Sequence, residues 1–155
     1  MPVDPDRAVR EIMTSDPVAV APDLAVAEAA RVMVDNSVGA LPVVDSGRLV
    51  GIVTQGDLIS QDVQLEYPTY IHLLDGMVMY PPVPSHVQDK LERAARAIVE
   101  DVMSRHPITV SPEARIGDVA ALMIERRVGR VLVAEDDRLI GIVSKSDVVR
   151  SLIAE

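Results

Sequence analysis

Apolar positions recur with a helical period at two places in this chain. Val26, Ala29, Ala30 and Met33 stand at i, i+3, i+4 and i+7, and Ile116, Val119, Ala120 and Met123 repeat the spacing. Each set predicts a helix with one buried face. Two short, nearly continuous apolar runs follow each helix: Leu41–Val44 with Arg48–Val53, and Val131–Ala134 with Arg138–Val143. Runs of this length predict buried strands. Asp45-Ser46-Gly47 and Glu135-Asp136-Asp137 supply turn chemistry between the runs, so each pair predicts a hairpin. Ahead of each helix, a lead-in (Val9–Met13 or Val99–Met103) is stopped by Pro17 or Pro107. A short extended stretch comes next, Val18–Val20 or Ile108–Val110. Gly39 and Gly129 are expected to end the amphipathic helices, and a last helix is expected after Thr54 or Ser144.

These paired features are one feature seen twice. Displaced by 90 residues, Val9–Ser60 falls on Val99–Arg150 without a gap, and sixteen of the 52 positions are identical. Chance would give about one identity in fifteen for average composition. The chain therefore carries a duplicated β-α-β-β-α unit. One copy is too small to bury both faces of its sheet. The expected fold is α+β, with two βαββα units packed about a pseudo-two-fold axis. The units are placed at 9–60 and 99–150, with a connector over 61–98. Tyr67-Pro68, Tyr80-Pro81-Pro82 and Pro84 suggest an irregular first half of the connector. Val87, Leu91, Ala94, Ala95 and Ile98 suggest an amphipathic helix over about 86–98. The connector is either plain packing or a docking surface for a partner, since it holds all three tyrosines.

Composition narrows the function. The 155 residues carry a formal net charge of −9, which disfavours a nucleic-acid partner. Three Tyr, with no Phe or Trp, leave little on which to stack bases. Cysteine is absent, so disulfides, thiolate nucleophiles and cysteine-based zinc sites are excluded. No apolar run approaches the ~20 residues needed to cross a bilayer, and Met1–Asp6 has no signal-peptide character. A cytoplasmic location is expected. His72, His86 and His106 have no metal-ligand spacing, and no nucleophile motif accompanies them. Neither a catalytic group nor a metal site is expected.

One motif closes both copies: Gly51-Ile52-Val53-Thr54-Gln55-Gly56-Asp57 and Gly141-Ile142-Val143-Ser144-Lys145-Ser146-Asp147. Its hydroxyl and acid stand where a strand becomes a helix. A helix N-terminus attracts phosphate, and a carboxylate can accept from both hydroxyls of a ribose diol. Thr-x-x-Asp and Ser-x-x-Asp are equally variants of a helix capping box, and the two roles are compatible.

Taken with Met13-Thr14…Pro17, Val38-Gly39-Ala40-Leu41-Pro42-Val43 and their counterparts 90 residues on, this motif resembles that of the cystathionine-β-synthase (CBS) domain family. The tandem arrangement is similar to a Bateman module. The resemblance covers about two-thirds of the chain. It implies clefts between the units that take AMP, ADP, ATP, S-adenosylmethionine or NAD, with no cofactor required. It also implies a homodimer. Thr54, Asp57, Ser144 and Asp147 are then expected at ribose and phosphate. Val18, Ala40 and Leu41 in one copy, and Ile108, Arg130 and Val131 in the other, are expected around the adenine.

The copies differ in charge, net −4 over Val9–Ser60 and −1 over Val99–Arg150. Arg126, Arg127, Arg130 and Lys145 occupy positions held in the first copy by Asn36, Ser37, Ala40 and Gln55. The resemblance implies a phosphate contact for an arginine at the position of Arg130, with Lys145 and His106 near it. The clefts should therefore differ, with one taking a phosphorylated ligand and the other binding weakly or staying empty. The expected function is a stand-alone sensor that passes occupancy to a protein effector. The alternative is a ligand-free dimerisation module docking through residues 61–85.

Overall fold

The computed structural model describes residues 4–59, 69–73, 76–80 and 96–153. The first unit contains strand β1 (Thr14–Ser15), helix α1 (Val26–Asn36), strands β2 (Ala40–Asp45) and β3 (Arg48–Thr54), and helix α2 (Gln55–Ile59). The second contains helix α3 (Val99–Val102), strand β6 (Thr109–Val110), helix α4 (Ile116–Arg126), strands β7 (Arg130–Glu135) and β8 (Arg138–Ser144), and helix α5 (Lys145–Ser151). Strands β4 (Thr69–Leu73) and β5 (Gly76–Tyr80) lie between the units.

Both predicted hairpins form. Ser46 and Gly47 have positive φ, as do Asp136 and Asp137, so each loop has the two left-handed residues that match the twist of paired strands. The amphipathic helices end earlier than expected. The left-handed C-cap residues are Ser37 and Arg127, both at φ 54°. Gly39 and Gly129 instead lie just ahead of β2 and β7. Two differences concern the connector. Its first half holds an antiparallel hairpin pairing Thr69 with Tyr80, over two segments, Thr69–Leu73 and Gly76–Tyr80, that contain no proline. Ile98 is extended (φ −107°, ψ 162°) and bridges Ala25, so the helical stripe does not run through it. Residues 81–95, which carry the rest of the expected helix, lie outside the described residues.

The lead-ins cross between units. Val9, Ile12 and Met13 pack in the core with Val119, Met123, Val131, Val133 and Val143. Val99, Val102 and Met103 pack with Ala29, Met33, Leu41, Val43 and Val53. β1 accordingly pairs antiparallel with β8 of the other unit, giving a four-stranded sheet in the order β1-β8-β7-β6. In the first unit the same order survives as single bridges flanking β2–β3, from Val20 to Val43 and from Ser104 to Ile52.

The exchange also satisfies helix ends. Neither Ala25 nor Arg115, the residue before each amphipathic helix, offers a capping side-chain bond. The orphan amides at these starts find backbone acceptors on other segments instead: Val26 N–H donates to the Ala97 carbonyl at 3.0 Å, and Ile116 N–H to that of Arg7 at 2.9 Å. Arg115 ties the N-terminal segment down further, reaching Asp118 at 2.9 Å and Asp6 at 3.0 Å. These two carboxylates, Asp118 foremost, raise its guanidinium pKa.

Candidate functional site

The pseudo-symmetry leaves two clefts, and each is composite. One is lined by Pro17, Val18, Ala40 and Pro42 from the first unit and by Ile142, Ser144, Asp147 and Arg150 from the second. Its volume is ≈ 560 Å³. The other takes His106, Pro107, Ile108 and Leu132 from the second unit and Ile52 and Thr54 from the first, around ≈ 290 Å³. An apolar wall from one unit thus faces the hydroxyl-acid turn of the other. The volumes lie in or near the range of small-molecule sites, about 300–1,000 Å³.

Both turns form complete capping boxes. The Asp57 Oδ2 accepts from the Thr54 amide at 2.7 Å and from its hydroxyl at 3.0 Å, while the Asp57 amide donates to Thr54 Oγ1 at 3.3 Å. Ser144 and Asp147 repeat this at 2.8, 2.9 and 3.2 Å. The first-turn amides of Gln55 and Lys145 donate to the carbonyls of Gly39 and Gly129. Two consequences follow. The helix starts have few amides left for a phosphate. Each Oδ2 already accepts two bonds, so a diol must meet Oδ1, whose two lone pairs can serve both hydroxyls. Asp57 Oδ1 has no bond among the described residues. Asp147 Oδ1 accepts from Arg150 at 3.2 Å, an arginine whose side chain is 72% exposed and free to yield.

Arg130 lines both clefts. It is half-buried, and among the described residues its side chain makes no hydrogen bond or ion pair. Its Nη2 lies 2.5 Å from where a β-carbon on Gly39 would be, so only glycine there admits the guanidinium unshifted. At the symmetry-related Gly129 nothing lies within 4 Å, since Ala40 sends no side chain across.

The structure separates the sequence-predicted residues. Val18, Ala40, Ser144 and Asp147 meet at one cleft, and Thr54 and Ile108 at the other, with Asp57 bonded to Thr54. Three expected residues stand elsewhere. Val131 is 1% exposed in the second core, because strand alternation turns Arg130 and Leu132 to the cleft and the residue between them inward. Leu41, fully buried, is the same case in the first copy. Lys145 is exposed and its side chain lies outside both clefts. Pro42, Leu132 and Arg150 are lining residues that the sequence reading passed over. The period of two along β2 and β7 carried the signal for Pro42 and Leu132.

The fold is thus a repeated βαββα unit with two composite clefts between the copies, and no helix among the described residues is long and apolar enough to cross a membrane. Residues 9–63 and 99–154 match the CBS domain. The chain belongs to the CBS-domain family and carries two copies in tandem. Protein MJ1225 of Methanocaldococcus jannaschii is 27% identical over 150 residues, which are 96% of this chain and 48% of that protein. Its crystal structure superposes with a TM-score of 0.76 at 25% identity, over 96% of this chain and 48% of that one. CBSX1, a chloroplastic CBS domain-containing protein of Arabidopsis thaliana, is 29% identical over 94% of this chain and 64% of its own length. The crystal structure of CBSX2 in complex with AMP matches with a TM-score of 0.72 at 27% identity, covering 94% of this chain and 96% of that one. The chain thus spans about half to two-thirds of the length of the first two curated relatives.

Proposed function

We propose that this chain is a regulatory sensor. It binds an adenosine-containing nucleotide between its CBS units and passes occupancy to a partner protein. The observation that carries this reading is the convergence at one cleft of an apolar wall, the Asp147 carboxylate held by Ser144 and the Arg130 guanidinium, and at the other of an apolar wall, the same guanidinium and Thr54, to which Asp57 is bonded. The wall suits adenine, Oδ1 of Asp57 or Asp147 suits the ribose diol, and Arg130 suits a phosphate. Thr54 and Ser144 act on the ligand through the aspartates that they hold in place. The AMP complex of CBSX2 supports the ligand class. Candidate ligands are AMP, ADP, ATP, S-adenosylmethionine and NAD, and catalysis has no part in the proposal.

The test is thermal unfolding with each ligand at millimolar concentration. A ligand at 100 times its Kd stabilises by about 2.7 kcal/mol, which is several degrees for a chain of this size. If none of the five moves the transition, the sensor reading fails.

A second reading is favoured by surface features. Val34 and Ile124, equivalent by the repeat, are each 76% exposed, and Ile59 and Val149 form a second exposed equivalent pair. Such duplicated apolar positions suit a homodimer that buries both helix faces. The β4–β5 hairpin, which the repeat does not contain, suits docking of an effector. Dimer and sensor are compatible. A chain that dimerises but ignores every nucleotide would serve for assembly alone.

A further inference from the structure

The two clefts share one guanidinium. The Arg130 side chain faces both, has no hydrogen-bond or ion-pair partner among the described residues, and rests in the hollow at Gly39. The repeat-equivalent position carries no second cation: it is Ala40, and the matching space at Gly129 is open. The geometry points to competition: the two clefts contend for Arg130, so a phosphorylated ligand in one weakens the phosphate contact in the other. The module then binds nucleoside monophosphates with negative coupling and unphosphorylated nucleosides without it. This rests on the nucleotide reading above and adds the coupling and its cause.

The capping boxes strengthen the point. Gln55 and Lys145 amides are already bonded to carbonyls, and the Thr54 and Ser144 hydroxyls to carboxylates. Among the described residues, Arg130 is therefore the permanently charged donor that both clefts share. Arg150 stands at the first cleft only, and there it is bonded to Asp147.

Calorimetric titration of the full chain with AMP and separately with adenosine tests this. Each titration yields two stepwise dissociation constants and their ratio. The AMP ratio should exceed the adenosine ratio by about 10- to 150-fold, the span expected for one charge-assisted contact. In Arg130→Ala the AMP ratio should fall to the adenosine ratio measured on the same variant. Gly39→Ala is the second variant, because its methyl group would push the guanidinium out of the first cleft. One AMP step should then weaken while the other persists. Equal AMP and adenosine ratios in the unmodified chain overturn the competition and leave nucleotide binding standing. Absence of binding by both ligands overturns the nucleotide reading and the competition with it.

Discussion

Met103 lies across Gly51. A β-carbon on Gly51 would come within 2.8 Å of the Met103 sulfur and 2.6 Å of the Ser104 carbonyl oxygen. The second copy repeats this, with Gly141 beneath Met13 Sδ at 2.5 Å and the Thr14 carbonyl oxygen at 2.9 Å. The glycine that opens each closing motif is therefore a packing requirement set by the crossing lead-in. A sulfur can swing aside, but a carbonyl paired into the sheet cannot. Gly51→Ala and Gly141→Ala should each destabilise the fold by about 1–3 kcal/mol, read as a lower urea midpoint.

The crossing makes a further stability prediction. Val9 is fully buried in the second unit's core although it begins the first repeat. Val9→Ala should cost about 1–3 kcal/mol, and amide hydrogen exchange should report the loss in β7 and β8 ahead of β2 and β3. Loosening confined to the first unit would contradict the exchange of lead-ins.

How much of this could be read beforehand depends on range. The repeat, both hairpins and the helix faces follow from local periodicity, and all are legible in the chain. The crossing is invisible there, because a lead-in packs alike against either copy of a duplicated core. The same ambiguity hid which aspartate faces which wall. The family resemblance implies Val131 at the adenine, and the basic cluster around the second closing motif suggests Lys145 near the phosphate. Strand alternation buries the first, and the helix surface carries the second into solvent.

Those two residues yield a paired prediction. Lys145→Ala should leave both stability and AMP affinity within about 0.5 kcal/mol, as for an uninvolved surface position. Val131→Ala should lower stability by about 1–3 kcal/mol and leave the AMP dissociation constant of the folded fraction unchanged. Equilibrium unfolding and calorimetry on the two variants check both statements.

The saturated Oδ2 atoms of Asp57 and Asp147 direct a ribose to Oδ1. Removing one hydroxyl from the diol forfeits a charge-assisted bond worth about 1.5–3 kcal/mol. 2′-Deoxy-AMP should therefore bind at least about tenfold more weakly than AMP. Equal affinities would place the sugar away from these acids.

The most direct measurement is AMP binding to the unmodified chain and to the Asp57→Ala/Asp147→Ala double variant, with folding of both verified by circular dichroism. The account predicts saturable binding to the first and none to the folded second. Undiminished binding to the double variant, or no binding to the unmodified chain, would contradict it.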